Sequence, residues 1–344
     1  MKRLKLGSQT LNVKSDSLQR LIDSALSSKG LTRASVAKCG NVSLATAGKL
    51  LSALDECRIT RLEYKRDNSA GSPSKIHVFR SEISTLVLDF SSPVYTASMI
   101  VGKNKKLISE SYSPAPSLSF EGDITVFLSK IGQRMSLLPY SVSSIVTIIA
   151  DHPESIVKIA SSTSAYIPDA YDMGIVNDLC AQFFGVMPTL CITNSQAIKC
   201  ALKYDVFEPH IVGNNISHIR LSDTLEATHL PCHSSPIPLK LEKLLVNGES
   251  LSALFSKSQD IDSLALVLSH LISLIDCAYG SDFIIIEYDS DRFGGIEERT
   301  TQIFRAVSIK EPAVAYFDLT PPAAVIGAAT AALSALIASK ITGV

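Results

Sequence analysis

The sequence predicts an α/β protein in which a small, basic, mainly helical module precedes a larger body of strands and helices. Hydrophobic residues make up 46% of the 344 residues and charged residues 19%, which is typical of a chain with buried cores. The charge is divided unevenly, because residues 1–80 carry 15 Lys and Arg against six Asp and Glu, whereas the whole chain has a net charge of −1. In the body, apolar strand-forming runs alternate with amphipathic segments.

The module begins with three predicted helices. Residues 16–28 place apolar side chains at helical spacing, and Gly30 follows as a stop. Thr32 is a candidate N-cap for a short second helix that ends at Gly40. Ser43 is a candidate N-cap for a third, longer helix.

The third helix is expected to pack one apolar face on the core of the module, and a hairpin is expected to follow it. Its core-facing stripe is expected to contain Leu44, Ala47, Leu51 and Leu54. Residues 58–64 and 75–80 are predicted strands with a polar turn between them. Three helices followed by a hairpin are typical of a winged helix-turn-helix, so we predict a DNA-binding domain over residues 1–80. The residues expected to contact double-stranded DNA are Arg33, Ser43, Ala45, Thr46, Lys49, Lys65, Arg66 and Lys75.

A three-helix cap whose basic surface is simply solvated is the alternative for this module. The net charge of +9 on residues 1–80 favours DNA, because neutralisation of backbone phosphates dominates such binding.

The body, residues 81–344, is predicted to contain strands and helices along its whole length. Three strands are expected near residues 84–90, 94–102 and 107–113, followed by a helix at 122–136 and a strand at 143–151. The second half contains two short strands within 217–230, a helix at 260–279, two apolar strands and a terminal helix at 323–339. Three strands, then helix, strand, helix and strand, is the arrangement of the actin-like, ribonuclease-H-like fold, which normally occurs as two copies around a cleft.

A winged helix, a Gly-x-Pro junction and this duplicated body resemble the repressor members of the ROK family (repressors and sugar kinases). The junction of that family corresponds to Gly71-Ser72-Pro73. The family segment that begins a helix at the sugar site is similar to Phe184-Gly185-Val186-Met187-Pro188 continuing to Asn194-Ser195, and the start of the last family helix is similar to Gly327-Ala328-Ala329. The resemblance implies a sugar-like effector at Asn194, Ser195 and Asn177, with the last helix packing back on the first lobe.

The kinase motifs of that family are degenerate here. The first phosphate loop corresponds to Asp89-Phe90-Ser91-Ser92, in which Phe90 is expected to crowd a loop that needs glycine. The catalytic aspartate position is Ser195, whose hydroxyl cannot serve as a carboxylate base. Residues 216–230, where a second phosphate loop is expected, contain no glycine. We therefore expect no catalytic residues, no cofactor and no kinase activity.

Two other groups of residues contain side chains suited to a metal site or a catalytic triad, but their spacing does not match a known motif of either kind. His229, Cys232 and His233, with His218, include metal-ligand types, but the spacing suits no standard zinc pattern, and we predict no metal. Ser195 with Asp151 and His152 contains the residue types of a triad without the Gly-x-Ser-x-Gly turn that would expose the serine. Asn194 is expected to cap the helix that starts at Ser195, with ligand binding as its alternative role.

Cysteines and apolar segments bear on the cellular compartment. The seven cysteines are scattered without a CxxC pair, which favours free thiols in the cytoplasm. The basic N-terminus lacks the apolar run of a signal peptide. Residues 323–339 are uncharged but short and rich in alanine, which favours a buried helix over a membrane span.

These observations together predict a cytoplasmic transcriptional regulator, most simply a repressor, that dimerises through its body. A sugar-binding protein or residual sugar kinase is the alternative from another class. A scaffold whose winged helix binds protein is a third interpretation.

Overall fold

A computed structural model describes most of the chain. The described residues are 4–6, 9–11, 15–28, 31–65, 74–80, 82–92, 94–102, 105–151, 173–204, 206–207, 213, 215–222, 225–231, 237–258, 260–306, 313–318 and 321–342. They divide into two compact units, one formed by residues 1–206 and 324–344, the other by residues 207–323. The boundary near residue 80 stays a prediction.

The module contains the predicted helices and hairpin, preceded by a short strand pair that the sequence did not indicate. Its elements are β1 (Leu4–Leu6), β2 (Gln9–Leu11), α1 (Ser15–Ser27), α2 (Arg33–Gly40), α3 (Leu44–Glu56), β3 (Thr60–Lys65) and β4 (Ser74–Phe79). Thr32 caps α2 and Ser43 caps α3, each accepting a hydrogen bond from a backbone N–H three residues later. Leu31 forms an isolated antiparallel bridge with His77 of β4, which attaches the hairpin to the start of α2.

The rest of the first unit is built around a mixed five-stranded sheet. Its elements are β5 (Ser84–Asp89), β6 (Tyr95–Val101), β7 (Lys105–Tyr112), α4 (Phe120–Met135), β8 (Ser144–Ile149), α5 (Met173–Phe184), β9 (Pro188–Thr193) and α6 (Asn194–Lys203). The strand order is β7-β6-β5-β8-β9, with antiparallel pairing from β5 through β7 and parallel pairing from β5 through β9. The strand β5 is buried along its whole length and is the centre of the sheet.

The second unit repeats this strand order. Its elements are β10 (Asn215–Leu221), β11 (Leu225–Pro231), β12 (Ile237–Pro238), a 3₁₀ turn at Leu241–Lys243, β13 (Leu245–Val246), β14 (Glu249–Ser250), α7 (Leu251–Lys257), α8 (Ile261–Tyr279), β15 (Phe283–Tyr288), α9 (Ser290–Phe293), α10 (Ile296–Ala306) and β16 (Val314–Asp318). The sheet order is β12-β11-β10-β15-β16, again antiparallel on one side of the first strand and parallel on the other. The duplicated α/β body predicted from the sequence is therefore present.

The last helix, α11 (Ala323–Thr342), is buried over much of its length in the first unit. Its residues Leu333, Ile337 and Ile341 join the hydrophobic core of the module, together with Tyr204. Both α8 and α11 are long and apolar enough to cross a membrane. In α11, 67% of the most apolar stretch is buried inside the protein. The burial of α11 explains its composition as that of a core helix.

The apolar stripe predicted for α3 is wrong at one position. Ala47, Leu51 and Leu54 are buried as expected, but Leu44 is 59% exposed. Leu50 and Ala53 are buried as well. The core therefore covers α3 only from its second turn onward.

Candidate functional site

The predicted DNA-contacting residues of the helices lie around the amino end of α3. Arg33, Ala45 and Lys49 are exposed. Ser43 is exposed at the N-cap, where its hydroxyl accepts from the Thr46 N–H and lies 2.9 Å from the Thr46 hydroxyl. One of these two hydroxyls donates to the other, so Ala45 and Lys49 are the predicted contacts on α3 that lie outside this local bond.

The predicted contacts of the hairpin are described only in part. Lys75 is exposed on β4, opposite Tyr64 of β3. Lys65 is the last residue of β3, and its side chain is outside the described part of the structure. Arg66 and the junction Gly71-Ser72-Pro73 also lie outside the described residues. The roles of all these residues in DNA contact stay predictions.

The hairpin is attached to α3 through Asp55, which the sequence analysis did not single out. The Thr60 hydroxyl of β3 donates to the Asp55 carboxylate, and His77 Nδ1 of β4 lies 2.9 Å from the same carboxylate. Asp55 thus bonds the first strand of the hairpin to the carboxyl end of α3 and lies beside His77 of the second strand. The sequence separation between Asp55 and His77 has no recognisable pattern.

The first helix is attached to α6 and α11 through Asp23. The carboxylate accepts from the Tyr204 hydroxyl at 2.9 Å and lies 2.6 Å from Lys203 Nζ. It also accepts from the Ser334 hydroxyl at 3.3 Å, and Gln19 donates to both Asp23 and Ser334. Burial raises the pKa of the Tyr204 hydroxyl, which therefore remains a neutral donor. This network fixes α1 to the carboxyl end of α6.

The amino end of α6 carries the predicted effector residues. Thr193, and not Asn194, is the N-cap, and it forms a reciprocal capping box with Gln196. The expected capping role of Asn194 is therefore wrong, because Asn194 is already the first helical residue. Its Oδ1 atom is buried and has no hydrogen-bond partner among the described residues.

Ser195, at the position of the missing catalytic base, is buried and bound to Asp151 at the end of β8. The Ser195 hydroxyl donates to Asp151 Oδ2 at 2.6 Å, and its N–H lies 3.2 Å from both carboxylate oxygens. A carboxylate at the first turn of a helix is stabilised by the helix dipole. Within the described residues no hydrogen bond joins Asn177, on α5, to Asn194 or Ser195, and His152 lies outside them.

The loop after β5 differs from the expectation for Phe90. Asp89 Oδ1 accepts from the N–H and the hydroxyl of Ser91, at 2.9 and 2.6 Å, and closes a tight turn. The Phe90 ring does not crowd this turn, because it is buried in the core with its centroid 5.0 Å from that of Tyr95 and 6.3 Å from that of Phe127. Phe90 stabilises the core beneath the loop.

In the second unit, His218 of β10 and Glu287 of β15 form a buried pair. His218 Nε2 lies 3.0 Å from Glu287 Oε2, and Glu287 Oε1 accepts from the Ala323 N–H at 3.1 Å. Burial alone would raise the pKa of Glu287, but the hydrogen bond and charge of His218, with Arg220, outweigh burial and hold this pKa below its usual value. His218 was indicated by the sequence only as a metal-ligand residue type, and no sequence pattern indicated Glu287 as its partner.

The other residues of the predicted metal constellation have different partners or are not described. His229 Nδ1 lies 3.0 Å from the Ser217 hydroxyl, and its ring stacks on Tyr279. Cys232 and His233 fall outside the described residues. Across the part of the chain that the structure describes, no group of three or more potential ligands could hold a metal ion.

Comparisons with known proteins establish the fold. No protein-family model matches the chain, and no curated protein matches it in sequence. A solved ROK family transcriptional regulator, described as a homologue of the E. coli MLC protein, matches with a TM-score of 0.61 at 12% identity, over 96% of this chain and 100% of that one. A ROK family glucokinase from Streptomyces griseus, solved with glucose and AMPPNP, matches with a TM-score of 0.51 at 11% identity, over 73% of this chain and 99% of that one.

The resemblance to the ROK family predicted from the sequence is confirmed at the level of the fold. The regulator spans nearly the whole chain, which includes most of the first 80 residues. The glucokinase match leaves about a quarter of this chain uncovered. The length of this chain that the regulator covers therefore exceeds the length that the glucokinase covers by about the size of the module.

Proposed function

We propose that this protein is a cytoplasmic, DNA-binding transcriptional regulator with a ROK-like body that does not phosphorylate sugars. The observation that carries the proposal is the match over the full length of a ROK transcriptional regulator, together with the positive charge of the module. Three helices, a hairpin and the bridge at Leu31 correspond to a winged helix-turn-helix. Its third helix is the element that would enter the major groove.

The electrostatics of the module support DNA as its partner. Neither α2 nor α3 has an acidic residue in its first turn, and the amino ends of helices attract phosphate. Arg33, Lys49 and Lys75 are exposed on this module. A single such module contacts too little DNA for high specificity, so we propose a homodimer formed through the body that binds a two-fold operator.

The salt dependence of DNA binding tests this proposal. We expect the intact protein to bind a 30-base-pair duplex as two chains, with an affinity that falls steeply as salt increases, because phosphate contacts release counterions. Lys49→Ala is expected to weaken binding and to reduce the slope of log affinity against log salt by about one unit. Fluorescence anisotropy over a salt series measures both quantities.

Lys257→Ala is the matched control, because Lys257 is an exposed lysine of the second unit that pairs with Glu249. It should leave the affinity and the slope unchanged. Absence of duplex binding at low salt, or an equal effect of the two substitutions, would contradict the assignment of the module.

The body retains features that suit a small ligand without phosphoryl transfer. Ser195 replaces the carboxylate base, and the nearby carboxylate of Asp151 is occupied by the N–H and hydroxyl of Ser195. Asn194 Oδ1 is a buried acceptor at the same helix end. We therefore propose that Asn194 and Ser195, with Asn177, contribute to a sugar-like effector site, and a sugar-binding protein is the second candidate function.

Calorimetric titration separates these roles. We expect no saturable heat with Mg-ATP, because no glycine-containing loop is present at Asp89–Ser92 or at residues 216–222 to hold the phosphates. A panel of hexoses and amino sugars is titrated in parallel, and binding of one sugar without ATP would identify the effector. Saturable ATP binding would instead favour the kinase alternative.

A further inference from the structure

The exposed leucine at the start of α3 is one of the apolar side chains of the module that its core does not cover, with Leu62 and Tyr64 of β3. Leu44 is 59% exposed, whereas Ala47, Leu50 and Leu51 on the same helix are fully buried. Isolated exposed leucines are common and need no explanation by themselves. Leu44 differs because of its position and its neighbours.

Leu44 is held in a defined orientation at the first helical position of α3. The preceding residue, Ser43, is fixed as the N-cap by the Thr46 N–H at 3.1 Å. The hydroxyls of Ser43 and Thr46 are bonded to each other, which engages one of their two O–H donors within the helix end. Leu44 and Ala45 are therefore the apolar side chains that the amino end of α3 presents to a partner.

Two cations lie about one turn along α3 from this apolar group. Gly48, one turn after Leu44, has no side chain, and a Cβ built there would lie 3.0 Å from Arg33 Nε and 3.3 Å from Arg33 Cζ. The Arg33 guanidinium thus lies along α3 one turn from Leu44. Lys49, one turn after Ala45, is exposed on the adjacent face.

This combination of charge and apolar surface indicates which partner covers Leu44. The first turns of α2 and α3 contain no acidic residue, and the amino end of α3 is positive through its dipole. An apolar side chain one turn from two cations suits the DNA major groove, where phosphates border the groove and the thymine C5-methyl is the apolar group on the base edges. In helix-turn-helix proteins the first residues of the recognition helix contact these edges.

We infer that Leu44 is a specificity-determining residue that contacts the C5-methyl group of a thymine in each half-site, with Arg33 and Lys49 contacting the flanking phosphates. The inference rests on the proposed DNA-binding function. Uracil, which lacks only the methyl group, is the matched probe of this contact.

The experiment begins with selection of binding duplexes from a random pool by the full-length protein. Each thymine of the selected site is then replaced with uracil, and affinities are measured for the wild type and for Leu44→Ala. For the wild type we expect one thymine per half-site at which uracil weakens binding about fourfold, the effect of one buried methyl group. For Leu44→Ala the same replacement should change the affinity less than about 1.5-fold, since the side chain that contacts the methyl is absent.

Leu266→Ala is the control for loss of an exposed leucine, because Leu266 is 49% exposed on α8 of the second unit. It should keep the sensitivity of the wild type to uracil. The thermal unfolding of Leu44→Ala should match that of the wild type, because the side chain is largely outside the core.

The outcomes distinguish this inference from the function on which it rests. If the protein selects no duplex, both the DNA-binding function and the inference are overturned. If it selects a duplex but uracil has no effect on the wild type, or the same effect on Leu44→Ala, DNA binding stands and the role of Leu44 is overturned. This last result would follow if Leu44 were covered by another protein chain.

Discussion

Gly327→Ala is expected to destabilise the first unit by about 3 kcal/mol or more, at the upper end of the usual cost of overpacking. Gly327 lies near the start of α11, where this helix crosses α6 with backbone against backbone. A Cβ at this position would overlap the carbonyl oxygen of Ala197 and lie 2.6 Å from the backbone nitrogen of Ala201. These are main-chain atoms of a helix, so no side-chain rotation can relieve the overlap.

Chemical denaturation of the purified protein measures this effect, and Gly132→Ala is the matched control. Gly132 is also a helical glycine, in α4, but a Cβ there meets no atom within 4 Å. Its replacement should stabilise the protein by about 0.5–1 kcal/mol, because alanine loses less conformational entropy than glycine on folding. Equal stability of the two variants would show that α6 and α11 are not in backbone contact.

The consequences of Gly327→Ala should extend to DNA binding. The last helix also supplies Leu333, Ile337 and Ile341 to the core of the module, and α6 ends at the residues that bind Asp23 of α1. A displacement of α11 from α6 would therefore disturb the surface on which α1 packs. We expect the variant to lose duplex binding at temperatures where the wild type still binds.

Glu287→Ala is expected to destabilise the second unit by about 3–5 kcal/mol, because removal of one partner leaves a buried polar group without its hydrogen bonds. His218 and Glu287 are 3% and 4% exposed at the side chain and lie 3.0 Å apart. The substitution would also remove the acceptor of the Ala323 N–H. Glu249→Ala is the control, since its exposed ion pair with Lys257 should contribute less than about 1 kcal/mol.

The charge of Glu287 should also make the stability of the protein depend on pH. The folded-state pKa of this carboxyl is below the ordinary value of about 4.3, mainly because His218 and Arg220 outweigh the effect of burial. Its contribution to stability is therefore present above the ordinary pKa and is lost as the pH falls through the lower folded pKa.

Glu287→Gln, which preserves the shape of the side chain without its charge, tests this dependence. Its stability deficit relative to the wild type should be largest near neutral pH and should shrink on acidification. Unfolding monitored by circular dichroism across a pH series measures the difference. A deficit that stays constant with pH would show that the charge of Glu287 does not contribute.

The sequence by itself determined the features that depend on short stretches of chain. Thr32 and Ser43 were identifiable as N-caps because a hydroxyl beside a helix start bonds an N–H only three residues away. The strands around residues 84–101 and 283–288 were identifiable from continuous or alternating apolar runs. The order of these elements was sufficient to indicate the duplicated fold and, with Gly327-Ala328-Ala329, the resemblance to the ROK family.

The tertiary structure alone decided which residues meet across long sequence separations. Asp23 binds Tyr204 and Ser334, Asp151 binds Ser195, and His218 pairs with Glu287, contacts that leave no periodic signal in the sequence. Phe90 was expected in a loop but lies in the core, since the direction of a side chain after a strand depends on what packs beneath it.

The position of Leu44 shows the same limit within a single helix. Helical periodicity gives the angle of a side chain around the helix axis, and by that angle Leu44 belongs to the apolar stripe. Periodicity does not give the point along the axis at which the neighbouring helices stop covering that stripe. Only the packing of the whole module decides this, and it leaves Leu44 exposed at the end of α3 that we propose enters the DNA groove.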